Sequence, residues 1–351
     1  MAFSLERKLK GENKMTITLR KEVKAIKHLE GEETPYKDNL YEARRVAEAQ
    51  AKENGLVAPM WLLAEGYPHG EWYTANSEDV SGTALSDCPF GKKGEAFVVT
   101  LHGGRDGKRM LPLDVIEKVV TMYRENNETG LTGVYAANLQ DAYGKPVFTD
   151  LLNGALPDGN SVDLFSFDQV KAGEHRDHMA SFKTFGIVRP LSLAKETESC
   201  HHPIDDLALV KDGKIVGAKD SQVIAYTGGV AEGGLFLRSA QKKYNKIGVH
   251  HRFNEKKFEP EQEQARVLFL YGGSDGLEGD FRINVDGRFV VVAPEALDAR
   301  SACENGGPYR TQAAVPPLES RVQDALDASR AFEHNGTLYV PVNAGNLELK
   351  Q

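Results

Sequence analysis

Histidines are concentrated in one stretch of this sequence, and imidazole nitrogens are good metal ligands. Six of the ten histidines lie between residues 175 and 251, namely His175, His178, His201, His202, His250 and His251. Imidazole and carboxylate ligands suit zinc and other divalent transition metals, and three protein ligands leave one open catalytic position. One hypothesis is therefore a metal-dependent hydrolase or nuclease that uses the cluster at 175–202.

In that hypothesis the ligands are His175, His178, His201 and His202, and Asp205 or Asp206 serves as a further ligand or as the base. The spacing of these residues matches no established metal motif. The alternative is a set of unrelated loop histidines. A metal site requires at least three of the rings to converge on one point, whereas scattered side chains would leave the alternative.

A second arrangement joins glycines to cations and aromatic side chains. Four glycines fall within residues 227–234, and the cationic and aromatic residues that follow are Arg238, Lys242, Lys243, Tyr244, Lys246, Arg252 and Phe253. Glycine amides and cations bind phosphates, and Tyr244 and Phe253 are able to stack on bases. The region 227–253 is thus predicted to be a glycine-rich, basic loop that contacts nucleic acid. The alternative interpretation of this region is a sheet corner with a solvated basic loop, since glycine clusters commonly mark bends.

A third arrangement, Gly272-x-Ser274-x-Gly276 after an apolar run, matches the pattern of a hydrolase nucleophile elbow. Such an elbow must begin a helix, but the residues that follow Gly276 read as a strand. The sequence contains no Walker loop, no Rossmann fingerprint and no His-Glu-x-x-His motif. No residue is therefore assigned a catalytic role.

Composition limits the class of protein. The 351 residues carry a net charge of −8, which argues against a surface devoted to nucleic acid but permits a local basic groove. Three cysteines, odd in number and far apart, predict no disulfide framework. The N-terminus is charged and no run of about eighteen apolar residues occurs, so we expect a cytoplasmic protein without a membrane span.

The elements of the first half alternate between helix and strand. A helix is predicted at 39–54, stopped by Gly55, and residues 61–93 lack periodicity and read as a long irregular excursion. The segments that follow predict a buried strand at 95–102, a glycine turn, a helix at 113–126, an extended run at 132–137 and a short helix at 146–153. Residues 1–155 are thus predicted to form a mixed α/β domain.

The second half reads as mainly antiparallel β. The turn at 156–160 is the expected domain boundary, and the pairs Asp212-Gly213, Asp286-Gly287 and Asn335-Gly336 each predict a tight hairpin. Extended runs are expected at 222–226 and 265–271, with one helix at 318–330. The predicted fold class is α+β, with a mixed α/β N-terminal part and a mainly antiparallel β domain at 156–351 that has few helices.

Glycine-rich segments and the lack of a catalytic set favour a chain that makes contacts. The first hypothesis is therefore a non-enzymatic subunit of a larger assembly, either the backbone of a nucleoprotein filament or a protein shell or tube. Its partners would be copies of itself or other protein subunits, with RNA or DNA as a further partner at region 227–253. The metal-dependent hydrolase or nuclease is the alternative, and its divalent ion, such as zinc, is the sole cofactor considered.

Overall fold

The computed structural model of this chain describes residues 3–6, 16–24, 36–51, 55–66, 74–85, 94–118, 139, 142–251, 253, 263–271, 274, 276–280, 288–292, 332–334, 337–343 and 346–350. The chain divides into two compact units, Met1–Ser301 and Ala302–Gln351. The boundary expected near residue 155 is a different division of the chain and stays a prediction.

The strands, in chain order, are β1 Phe3–Glu6, β2 Thr16–Lys24, β3 Leu56–Val57, β4 Thr74–Leu85, β5 Ala96–His102, β6 Asp163–Ser166, β7 Phe185–Pro190, β8 Cys200–Pro203, β9 Ala208–Lys211, β10 Lys214–Ala218, β11 Lys246–His250, β12 Gln264–Tyr271, β13 Gly276–Asp280, β14 Arg288–Val292, β15 Phe332–His334, β16 Thr337–Asn343 and β17 Asn346–Lys350.

The helices are α1 Tyr36–Ala51, α2 Met60–Gly66, α3 Phe148–Leu152, α4 Phe167–Ala172, α5 Arg176–Ala180, α6 Leu191–Ala194, α7 Ile204–Leu207, α8 Ser221–Thr227 and α9 Val230–Gln241. Residues 113–118 are also helical. The fold is therefore α+β, as the sequence predicts. In the part of the chain that the structure describes, no helix has the length and apolar character needed to cross a membrane.

The first unit contains a large mixed sheet, which the described residues build from twelve strands in the order β1-β2-β14-β4-β12-β13-β11-β8. Strands β5, β6, β7 and β3 join it beside this path. Most neighbours are antiparallel, whereas β6–β7, β11–β13 and β4–β14 are parallel pairs. Strand β4 pairs with both β5 and β12, so it lies inside the sheet.

The hairpin at Asp212-Gly213 is confirmed. Strands β9 and β10 pair antiparallel, and both turn residues have positive φ, 52° at Asp212 and 70° at Gly213, as a type I′ turn requires. In the second unit β15 and β16 also pair antiparallel, with His334 opposite Thr337 across Asn335-Gly336. The turn Asp286-Gly287 lies outside the described residues.

Several other elements agree with their sequence patterns. Helix α1, strands β5 and β12, helix α3 and the turn at 156–160 occupy the predicted positions, and Gly55 donates its N–H to the carbonyl of Ala51 at the end of α1. Helix is described for 113–118 of the predicted 113–126. The extended run at 132–137 and the helix at 318–330 lie outside the described residues.

The long irregular excursion expected at 61–93 is wrong for most of its described part. Helix α2 and the twelve-residue strand β4 occupy 60–66 and 74–85. Strand β4 escapes a hydropathy pattern because one of its two buried faces is polar. Ser77 donates to the carbonyl of Leu268 at 2.6 Å, Ser81 bonds Thr100, and Thr83 accepts from the amide of Gln264.

The extended run expected at 222–226 is also wrong, because these residues form α8. Asp220 accepts from the amides of Gln222 and Val223 and so caps the helix start, while Gly228 ends it in the left-handed conformation. All seven residues of α8 are buried. A short segment that is buried on every side has no periodicity that distinguishes helix from strand.

Most of the predicted glycine-rich, basic loop at 227–253 is helix α9 and strand β11. A Cβ on Gly234 would lie 2.5 Å from the Cα of Gly217 in β10, and one on Gly233 would lie 2.6 Å from the Cβ of Ala218. These two glycines therefore permit close contact between α9 and the hairpin of the same chain. Their amides belong to the helix and do not form a loop for phosphates.

Candidate functional site

A buried hydrogen-bonded pair joins β4 to β5. The Nδ1 atom of His102 lies 2.7 Å from the carboxylate of Asp79, and its Nε2 atom lies 2.8 Å from the carbonyl oxygen of Ala225. Asp79 also accepts from the amides of Met60 and Gly103 at 2.8 and 2.9 Å. Both side chains are buried. This network holds α2, α8 and the end of β5 against β4.

The hydrogen bonds of His102 exclude a role as a general base in this state. Both ring nitrogens form hydrogen bonds inside the core, so neither is open to a substrate. His102 is therefore a structural residue.

His175 and His178 lie beside each other at α5. The Nε2 atom of His175 bonds the carbonyl of Gly228 at 2.5 Å, and that of His178 bonds the carboxylate of Asp163 at 2.7 Å. Both rings contact Phe185, with ring centroids 5.6 and 6.5 Å away. Burial lowers the pKa of His175 to about 4, so this imidazole is neutral at pH 7.

His201 and His202 are consecutive residues of β8, so their side chains lie on opposite faces of the sheet. His202 Nε2 donates to the carbonyl of Glu198 at 2.7 Å and lies 3.6 Å from the thiol of Cys200. The structure thus places the four predicted metal ligands as two pairs on different elements. Within the residues that can be described, no three His, Cys, Asp or Glu side chains surround a common point.

His201 has a different neighbour, which the sequence hypothesis did not include among the ligands. Its ring centroid lies 5.5 Å from that of His250, and the Nε2 atom of His250 lies 3.5 Å from Oε1 of Glu278. These residues lie on three adjacent strands, β8, β11 and β13. We call them the His201–His250–Glu278 row. Glu278 was missed because nothing in its local sequence separates it from an ordinary strand carboxylate.

The predicted nucleic-acid residues divide into buried and exposed groups. Arg238 donates to the carbonyl of Ile215 at 2.7 Å, and Tyr244 packs partly buried against the core. Phe253 is fully buried, with Arg266 over its ring at 5.3 Å and His251 stacked on it, so its predicted stacking on bases is wrong. Arg252 lies outside the described residues.

Three of the predicted cations are open to solvent at the end of α9. Lys242, Lys243 and Lys246 are exposed. Gly228 belongs to the glycines predicted to contact phosphate. In the structure it ends α8 in the left-handed conformation, and its carbonyl accepts from His175. We call the three lysines the lysine cluster. It is the part of the predicted interface that the structure leaves accessible.

An exposed apolar surface lies on the hairpin β9–β10. Leu209, Val210 and Val216 are 42%, 50% and 53% exposed, and among the described residues Tyr271 is the one other large apolar side chain in this exposed class. We call these three residues the hairpin surface. The sequence held a signal for it, because this hairpin carries apolar residues at adjacent positions. A two-stranded sheet is unable to bury both of its faces against one core.

Comparisons with known proteins give little. No family model matches the chain, and no curated protein matches it. A solved structure described as "Accommodation of massive sequence variation in Nanoarchaeota by the C-type lectin fold" is similar over 72% of this chain and 91% of that chain, with 16% sequence identity and a TM-score of 0.41.

Proposed function

We propose that this chain is a non-enzymatic subunit of a larger assembly and that it contacts neighbouring subunits through the hairpin surface. The observation that carries this proposal is that Leu209, Val210 and Val216, each about half exposed, belong to one small hairpin, with Leu209 and Val210 on its two opposite faces. Exposed apolar groups that lie together mark protein contact sites more often than scattered ones do.

The backbone of the hairpin supports the same proposal. In the described part of the chain, β9 and β10 form a two-stranded sheet in which no third strand pairs with either of them. Unpaired strand edges offer amides and carbonyls to a strand of another chain. A neighbouring subunit would thus gain main-chain hydrogen bonds together with apolar contact.

The size of the surface favours repeated contacts over a single tight one. Burying three half-exposed aliphatic side chains contributes roughly 1 kcal/mol each. Association costs about 4 kcal/mol or more in lost translational and rotational freedom. One such contact is weak by itself, whereas an assembly in which each subunit makes several contacts gains from their combined effect.

The polar interior supports a non-enzymatic role. Asp79 pairs with His102, Asp220 caps α8, and the buried Arg189 donates to Ser221 and Gln222. Each of these charged groups fixes one element against another.

Charge placed on the hairpin surface is expected to break the assembly. Replacing Val210 and Val216 together with lysine puts two cations into the contact, where they would lose hydration without a partner. Light scattering at several protein concentrations should show large species for the parent chain and smaller ones for the variant. Circular dichroism checks that the fold is retained.

The matched control replaces Tyr271, an exposed apolar residue of β12, with lysine. This variant should assemble as the parent does. A parent chain that stays monomeric at every concentration, or a hairpin variant that assembles unchanged, would contradict the proposed contact.

A second candidate function is the binding of RNA or DNA, and the exposed lysine cluster favours it. Changing Lys242, Lys243 and Lys246 to glutamate should abolish retention of nucleic acid, measured as the ratio of absorbance at 260 and 280 nm. Binding by the parent should weaken steeply with salt because condensed counterions are released.

A matched control changes three other exposed lysines, Lys171, Lys183 and Lys195, to glutamate. Its net charge equals that of the cluster variant, so equal loss of binding in both would show a general charge effect. Absence of nucleic acid from the parent would leave an assembly made of protein alone.

A cytoplasmic location is part of the same proposal. Cys200 is a free thiol, and the spacing of the three cysteines suits no disulfide framework. Thiols persist in a reducing compartment.

A further inference from the structure

We propose that a small inorganic anion such as chloride binds beneath helix α8, held by Arg189, Gln222 and Tyr226. The proposal does not depend on the assembly, because these three residues are fully buried and are not part of the hairpin surface. The anion would be a structural ligand, which stabilises the fold by neutralising a charge inside the core.

Arg189 is a buried cation whose hydrogen-bond partners are neutral. It donates from Nη1 to the carbonyl and hydroxyl oxygens of Ser221 at 2.7 and 3.4 Å, and from Nη2 to Oε1 of Gln222 at 2.6 Å. Burial lowers the pKa of Arg189 to about 10, so the guanidinium is still charged at pH 7. A buried charge is costly unless an opposite charge accompanies it, so this environment favours an anion.

The carboxylate whose charge acts on Arg189 is Asp220, and it is bound elsewhere. Asp220 accepts from the amides of Gln222 and Val223 at 2.9 and 2.8 Å, and from the hydroxyl of Thr197. Among the residues that the structure describes, no carboxylate forms an ion pair with Arg189. Its charge is thus left to a partner from outside the chain.

The electrostatic environment of the Tyr226 hydroxyl is more positive than negative. Burial raises the pKa of Tyr226, and the cations Arg189 and Arg266 each oppose that rise more strongly than the carboxylate of Glu278 adds to it. The charge of Glu278 therefore does not exclude an anion beside this hydroxyl.

Three donor atoms of the proposed site have no hydrogen-bond partner among the described residues. They are Nε of Arg189, Nε2 of Gln222 and the hydroxyl of Tyr226. The orientation of the Gln222 amide is fixed, because its oxygen accepts from Arg189, which has no acceptor atom to offer. Buried polar atoms nearly always have a partner, and a water molecule would need acceptors as well as donors. A group of donors favours an anion instead.

The fold brings these donors together between α8 and the large sheet. Arg189 reaches the helix from β7, and Gln222 and Tyr226 are one turn apart, so they lie on the same side of α8. The hydroxyl of Tyr226 extends to β13, where a Cβ on Gly279 would lie 2.0 Å from it. Gly279 is therefore needed to leave room for this hydroxyl.

The same packing limits the size of the ligand. All seven residues of α8 are buried, and the Tyr226 hydroxyl occupies the space that a side chain at Gly279 would fill. A single-atom anion suits such a site better than a phosphate or an organic acid does. We therefore use chloride as the probe.

Scanning calorimetry of the full chain in sodium chloride and sodium gluconate tests the site, with chloride raised at a fixed total salt concentration. Gluconate is too large to replace chloride between helix and sheet. The unfolding midpoint of the parent should rise by about 2 °C for each tenfold increase of chloride above the dissociation constant, because the anion binds the folded chain alone.

Two variants test the assignment of the donors. Tyr226→Phe removes one hydroxyl, and the chloride concentration needed for the same rise in midpoint should increase about 10-fold, as expected for a hydrogen bond to a charged group. Arg189→Met removes the cation and should abolish the dependence on chloride.

Tyr143→Phe is the matched control. It removes a hydroxyl that donates to the carbonyl of Met110 in another part of the core. This variant should unfold at a lower temperature in both salts and keep the parent's dependence on chloride.

A parent with the same midpoint in chloride and in gluconate would overturn the proposal and leave bound water as the partner of these donors. Variants Tyr226→Phe and Arg189→Met that both respond to chloride as the parent does would overturn it as well. If Arg189→Met does not fold, Tyr226→Phe decides, since it leaves the shape of the side chain unchanged.

Discussion

Replacing Asp79 with alanine is expected to lower the free energy of unfolding by about 3 to 5 kcal/mol. The carboxylate accepts from the amides of Met60 and Gly103 and pairs with His102, all inside the core. Its removal leaves two amides and one imidazole buried without their acceptor. Urea unfolding followed by circular dichroism measures the loss.

Two further variants test the cause. Asp163→Ala removes the carboxylate paired with His178, and because Asp163 is exposed this change should cost less than about 1 kcal/mol. Replacing Asp79 and His102 together with apolar residues should cost less than the sum of the single changes, since a buried pair couples its members. Equal costs for Asp79→Ala and Asp163→Ala would show that the network does not stabilise the core.

The same network explains why β4 could not be predicted from the sequence. Strand prediction relies on alternating apolar residues, but the side chains that β4 buries include Ser77, Asp79, Ser81 and Thr83. Each is tolerated inside only because a specific partner on another element accepts or donates. Those partners are up to 191 residues away in sequence, so no local pattern reveals them.

Elements with local causes were predicted well. The type I′ turn at Asp212-Gly213 depends on two residues with positive φ, and the stop of α1 depends on Gly55, so a short window of sequence contains the full reason. Helix α8 shows the limit of this approach. Its capping residue Asp220 is visible in the sequence, yet its uniformly buried surface hides the helical period.

The candidate site shows the same contrast between features with local causes in the sequence and features that depend on distant residues. The clustering of histidines drew attention to this region of the chain, but neighbours in sequence are not neighbours on a face. His201 and His202 point to opposite sides of β8, while His201 approaches His250 from another strand. The position of Glu278 opposite His250 depends on the parallel pairing of β11 with β13, which only the folded sheet establishes.

The chain is expected to lose stability as the pH falls from about 6.5 toward 4. Burial is the main cause that lowers the pKa of both His175 and His251 to about 4 in the folded state. In the unfolded chain both rings have a pKa near 6.5. The unfolded state therefore binds two protons that the folded state does not, and stability rises with pH through this window.

In each ring, burial is reinforced by one nitrogen at which a proton would find no acceptor. His251 donates from Nε2 to the carbonyl of Thr197 and accepts at Nδ1 from the amide of Phe253, so a proton on Nδ1 would face the N–H of Phe253. The Nδ1 atom of His175 is buried, and no described group forms a hydrogen bond with it. Each ring should thus contribute roughly 3 kcal/mol of acid sensitivity.

Urea unfolding between pH 7.5 and 4.5 measures this effect in the parent, His175→Gln and His251→Gln. Glutamine does not titrate, so each variant should flatten the dependence of the unfolding free energy on pH by up to about 1.4 kcal/mol per unit. Carboxylates also titrate in the lower part of the range, and the difference between parent and variant removes their contribution. If His175→Gln and His251→Gln keep the slope of the parent, the acid sensitivity of the fold does not come from these two buried rings.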